Sequence, residues 1–146
     1  MMADGEKVVL RFLDGRIIRG HIRDFSDKSD ELILQELGSE VVSILKNDVM
    51  KAIFFVRSFE GDRQYNEKKS YGIRKPHGHR IFIRFIDGED MVGFLEGDLP
   101  WDKGFFLSHH TINNLKGFFM LPADDGSNNI RVFIFAHAVN DVTVVP

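Results

Sequence analysis

The chain has 146 residues, 43% of them hydrophobic and 28% charged, with no Cys and a formal net charge of −3 at pH 7. This balance lies close to the globular norm and excludes disordered, collagen-like and disulfide-stapled classes. No run approaches the roughly 20 apolar residues of a membrane span, and the opening Met1-Met2-Ala3-Asp4-Gly5-Glu6 lacks a signal-peptide pattern. A soluble, cytoplasmic chain without membrane contact is expected, and its slight acidity argues against a dedicated nucleic-acid binder.

In chain order, the first signal is Val8-Val9-Leu10-Arg11-Phe12-Leu13-Asp14-Gly15. An Asp-Gly pair between apolar runs marks a tight hairpin, because Gly tolerates the positive φ that such turns require. Alternation places Val8, Leu10, Phe12, Ile18, Gly20 and Ile22 on one face. Strands are expected near 7–13, 16–25, 31–36, 40–46 and 50–57. The same pattern returns as Ile81-Phe82-Ile83-Arg84-Phe85-Ile86-Asp87-Gly88, with Gly93 matching Gly20. Continued without a gap, that register matches Leu32-Ile33-Leu34 to Phe105-Phe106-Leu107. Beyond an insertion it matches Glu40–Leu45 to Arg131–Ala136 and Val49–Ile53 to Val139–Thr143. Strands of this second copy are expected near 80–86, 89–96, 104–108, 130–137 and 139–145. No strongly periodic helix is present.

The expectation is therefore an all-β protein of two tandem five-stranded barrels packed as a pseudo-dimer, since one short barrel alone would be marginally stable. The first occupies 1–62 and the second 80–146, with its insertion near 108–130. Between them, 63–79 is a basic linker in an acidic protein, carrying Lys68, Lys69, Arg74 and Lys75 among Tyr65, Tyr71, His77 and His79. Such a segment grips a phosphate chain through charge and stacking, or serves as a solvated tether. Arg11, Arg19, His21 and Arg23 alternate onto the outer face of the first hairpin and would extend a basic patch. On the second copy that outer face is apolar instead, with Phe82, Ile86, Val92 and Phe94. It calls for a cover from within the chain or from another copy. Trp101, beside Pro100 in the insertion, is a candidate contact anchor, with loop packing as the alternative.

The segment Phe12-Leu13-Asp14-Gly15-Arg16-Ile17-Ile18-Arg19-Gly20-His21-Ile22-Arg23-Asp24-Phe25 resembles the first motif of Sm-like proteins. That resemblance implies SH3-type barrels of five strands with a variable loop between strands three and four. The family's uridine-contacting Asn falls at Asp30-Glu31 and at Lys103-Gly104. Its Arg-Gly pair is replaced by Lys46-Asn47-Asp48 and Ala138-Val139-Asn140. Acidic residues on that path repel a phosphate chain. The chain is also similar to functionally unassigned bacterial tandem-barrel proteins, in which a segment like Ala52–Asp62 ends the first barrel. Their modules occur alone or beside PilZ domains, the cyclic di-GMP receptors. Against the PilZ pattern the chain offers Arg19-x-x-x-Arg23 and Asp24-Phe25-Ser26, but the two parts abut and Ser29 takes the Gly position.

No nucleophile elbow, phosphate loop or zinc-hydrolase motif is present. His77, His79, His109 and His110 lack carboxylates at ligand spacing, so no metal or other cofactor is expected. The sequence reads as a non-enzymatic binding or protein-interaction module, self-associating or binding another protein through the exposed edges of its barrels. The alternative is RNA or cyclic-dinucleotide binding through the basic linker and Arg11, Arg19 and Arg23.

Overall fold

The computed structural model describes residues 5–26, 28–59, 79–96, 106–108, 115–122 and 128–145. These residues form strands, turns and two one-turn 3-10 helices. The strands are β1 (Glu6–Phe12), β2 (Ile17–Arg23), β3 (Glu31–Glu36), β4 (Val42–Lys46), β5 (Met50–Val56), β6 (Arg80–Phe85), β7 (Asp90–Leu95), β8 (Phe106–Ser108), β9 (Gly117–Pro122), β10 (Asn129–Phe135) and β11 (Val139–Val145). One-turn 3-10 helices, Asn47–Val49 and Ala136–Ala138, lead into β5 and β11. All pairings are antiparallel, in a single sheet ordered β4-β3-β2-β1-β5-β10-β9-β7-β6-β11-β8. The expected pair of separately closed barrels gives way to this one continuous sheet, because β5 spends its second edge on β10 of the other half.

The two parts of the sheet share a backbone pattern. The order β4-β3-β2-β1-β5 recurs as β10-β9-β7-β6-β11. Both hairpins close identically: Gly15 N–H donates to Phe12 O, and Gly88 N–H to Phe85 O. Leu13 N–H donates to Val49 O, as Ile86 N–H does to Ala138 O. The two 3-10 turns align Lys46 with Phe135 and Met50 with Val139. That corrects the sequence register by two residues in the fourth strand and one in the fifth.

A larger correction concerns the third strand of the second half. The position next to β7 is filled by β9, while the stretch expected there, 104–108, supplies β8 at the far edge beside β11. The extra residues thus lie mainly between the second and third strands of this half, at 96–116, where the first half has only 24–30. Gly93 shows why β9 belongs there. A Cβ on Gly93 would stand 2.4 Å from Leu121 O, as one on Gly20 would stand 2.4 Å from Gln35 O. Both glycines mark the same close passage of strand three over strand two.

Two apolar cores flank a shared wall. One gathers Val8, Leu10, Phe12, Ile22, Leu32 and Leu34 with Ile53 and Phe55, and with Phe133 and Phe135 from β10. The other gathers Ile81, Ile83, Phe85, Leu95, Phe118, Met120 and Val142 with Ala52, Phe54 and Val56 from β5. β5 and β10 therefore send alternate side chains into opposite cores. This is why Met50–Val56 is buried at every position and reads as an almost unbroken apolar run. Lys51 is its exception.

Candidate functional site

Among the described residues, the first half ends in an uncovered strand edge. β4 pairs with β3, Leu32 opposite Leu45 and Ile33 opposite Ile44. Asn47 N–H donates to Asp30 O in the same register. Antiparallel bonding alternates along a strand, so Leu45 and Ser43 also face β3. The N–H and C=O groups of Val42, Ile44 and Lys46 consequently point away from it. Among the described residues, no strand lies on that outer side. Ile44 is 66% exposed and Val41 67%, and Val42 is exposed as well. Edges in soluble proteins are ordinarily blunted by charge, proline or a bulge. Lys46 is the only charged residue in this strand.

In the second half the same three positions are in use. Arg131, Phe133 and Phe135 of β10 are the counterparts of Val42, Ile44 and Lys46, and in register they face β5, Arg131 opposite Phe55 and Phe133 opposite Ile53. Phe133 stacks edge-on against Phe25 and Phe119 at 5.1 and 4.9 Å, inside the first half's core. Arg131 lies over the rings of Phe55 and Phe119, at 4.7 and 4.3 Å. The opposite end of the sheet differs: β11, counterpart of β5, is covered by β8, whose Leu107 is buried in the second core.

The residues singled out from sequence are scattered by comparison. Arg11 reaches over Phe54 at 5.0 Å and meets Glu89 at 3.4 Å. Arg23 donates to Gln35 Oε1 at 3.2 Å, and its buried Nε has no partner among the described residues. Arg19 is exposed. They share the outer face of the first hairpin, but two of the three guanidiniums are held by other side chains. Lys68, Lys69, Arg74, Lys75 and Trp101 lie outside the described residues, as do His77, His109 and His110. Among the described residues no cluster of His, Asp or Glu could hold a metal ion, and no helix is long and apolar enough to cross a membrane.

The apolar face expected on the second half is split. Phe82 and Ile86 are exposed, the latter 52%, Val92 is half-buried and Phe94 is only 9% exposed. Phe106 of β8 extends the exposed row, since it stands opposite Thr143, which stands opposite Phe82.

Two grooves lie near the first half. One, of about 560 Å³, is lined by Asp30, Glu31 and Asp48 against Lys46, Lys116 and His137. Lys116 is engaged there by Asp30 at 2.6 Å and by Lys28 O at 2.5 Å, and His137 Nε2 lies 2.6 Å from Met50 O. The other, of about 460 Å³, brings Arg23 and Arg131 beside Phe25, with Glu6 and Asp24 on its wall. Neither offers an excess of positive charge.

A buried lysine centres one of the ionic contacts between the halves. Lys51 Nζ, its side chain 6% exposed, lies 2.7 Å from Asp87 and 2.5 Å from Glu89, and 4.6 Å from the centre of the Phe85 ring. Burial opposes ionisation of Asp87, but hydrogen bonds from Lys51 and the Glu89 N–H, with the Lys51 charge, outweigh it and hold the carboxyl below 3.8. The ionised form is thus favoured by folding, and its contribution is present above the unfolded value and lost as pH falls through the folded one. Asp87→Asn is expected to cost roughly 1 kcal/mol at pH 7, the side chain being a third exposed. Thermal melts of parent and variant should converge as pH drops below 3.8. A gap that persists once the carboxyl is protonated in the folded parent would show that the aspartate acts through packing.

Comparison with known proteins yields one match: the model of a family described as of unknown function covers residues 4–146. No curated protein and no solved structure matches the chain.

Proposed function

We propose, for a chain that belongs to the family of unknown function DUF6982, a non-enzymatic role as a tandem small-barrel module that binds protein by strand addition at the outer edge of β4. The shared strand order of the two halves supports the reading of each as an Sm-like or SH3-like unit, joined to the other as a pseudo-dimer. One observation carries the functional reading. The backbone positions that dock β10 onto β5 recur in β4, where no described strand takes them up. Strand addition supplies main-chain hydrogen bonds for affinity, while alternate side chains set specificity.

A peptide of residues 50–56 with solubilising lysines is a suitable probe, because that strand is the one β10 takes. The parent should bind it, and Ile44→Pro should weaken binding at least tenfold. Proline at 44 removes an outward donor and spares the bonds to β3, so circular dichroism should be unchanged. Equal binding by the folded variant, or none by the parent at a dilution where it is monomeric, contradicts the reading.

A second reading rests on Arg23, which lines a groove with Arg131 and whose buried Nε has no partner among the described residues: RNA or cyclic-dinucleotide binding through the first half and the basic linker. It requires oligouridine or cyclic di-GMP to bind with steep salt dependence and to be lost on Arg19→Glu with Arg23→Glu.

A further inference from the structure

We infer that the partner of the β4 edge is the β4 edge of a second copy, paired antiparallel about a two-fold axis through Ser43. The inference rests on the strand-addition reading and names its occupant.

Three observations select a second copy in this geometry. The chain already contains the interaction once, between β10 and β5, so this type of edge is compatible with a strand from the same family of units. A head-to-tail repeat of that contact would need the edge of β11, and β8 covers it, anchored by buried Leu107. Repetition of that contact is thereby blocked, β8 itself offers an edge of only three residues, Phe106–Ser108, and an isologous contact that closes on itself is favoured.

Charge then fixes the register. Only residues whose bonding groups point outward can face each other, which restricts the pairing to steps of two. With the axis at Ser43, Lys46 of each copy stands opposite Glu40 of the other, and Ile44 opposite Val42. Glu40 and Val41, exposed just before the strand, join it in this pairing. Moving the axis to Ile44 or Leu45 sets Lys46 against Val42 or Ile44, and moving it to Lys46 sets like charges face to face. Opposite charges across a pair favour the first arrangement and like charges penalise the last. The same arrangement covers Ile44 and Val42, the exposed apolar side chains of the strand's outer face.

The absence of Cys makes the geometry testable with a single thiol. Ser43 pairs with itself at a non-hydrogen-bonded position, where Cα atoms lie about 4.5 Å apart, inside the range a disulfide spans. Native mass spectrometry of the full chain at about 100 μM, well above a micromolar dissociation constant, should give a dimer. Ile44→Pro should give a monomer with an unchanged circular dichroism spectrum. Under mild oxidation Ser43→Cys should form a covalent dimer at least tenfold faster than Asp90→Cys, a thiol on the exposed residue of β7. A monomeric parent overturns the inference, as does a dimer that survives Ile44→Pro or a ladder of higher oligomers growing with concentration. Equal crosslinking of the two thiols overturns the register and the axis. A monomer that binds the residue 50–56 peptide in an Ile44-dependent manner refutes the second copy alone. A monomer that binds no such peptide refutes strand addition as well.

Discussion

Phe133→Ala is expected to cost about 3–5 kcal/mol, the range for emptying a buried phenylalanine site, and to destabilise both halves of the sheet together. Phe133 is 1% exposed and packs into the first half's core, yet it is carried by a strand of the second half. Its ring neighbours come from the segment after β2, from β9 and from β10 itself. Since a domain of this size holds roughly 5–15 kcal/mol in total, the variant should lose a large share of its stability. Urea unfolding followed at amides of β2 and of β6 should give coincident transitions at a lower midpoint. A shift confined to the first half would mean that the two cores unfold independently.

The second large effect is expected at Gly93. Alanine there drives a methyl group to 2.4 Å from Leu121 O and 2.8 Å from Met120, and a backbone carbonyl cannot move aside as a side-chain tip can. A cost of about 2–3 kcal/mol is expected, as for other insertions into tightly packed structure. Gly88 in the same hairpin provides the contrast. Its φ is +91° and nothing lies within 4 Å of a Cβ, so Gly88→Ala meets strain without collision, about 1–2 kcal/mol. Chemical denaturation of the pair ranks them; Gly88→Ala proving the more damaging would contradict this assignment of the close approach.

Much of the fold was legible because an Asp-Gly pair between apolar runs occurs twice in the sequence. Asp14-Gly15 and Asp87-Gly88 located both hairpins, and alternation placed Val8, Leu10, Phe12 and Ile22 on the buried face where they are found. The third strand of the second half was misplaced for a physical reason. Phe105-Phe106-Leu107 and Phe118-Phe119-Met120 both follow a glycine and a short apolar run reads alike in either place. Only the partner strand distinguishes them, and pairing is non-local. The same limit hid the continuity of the sheet. Periodicity reports that Met50–Val56 is buried on both faces, but not that its second neighbour is β10.

The candidate site was less legible. Of the basic residues that attract attention in sequence, Arg11 and Arg23 are held by Glu89 and Gln35 within the fold. The open edge is built from backbone groups, which carry no sequence signature. Its available signal was Val41-Val42 and Ile44-Leu45 flanking a single Ser, a strand with too few charges for its edge position.

Amide hydrogen exchange along β4, measured in dilute and in concentrated protein, tests the central claim most directly. The amides of Ser43 and Leu45, bonded to β3, should be protected under both conditions. Those of Val42, Ile44 and Lys46 should exchange rapidly when dilute and become protected as concentration rises. Outward amides protected at every dilution would mean that the chain itself already occupies this edge. Outward amides left unprotected at every concentration, with the residue 50–56 peptide added or not, would mean that the edge recruits no strand.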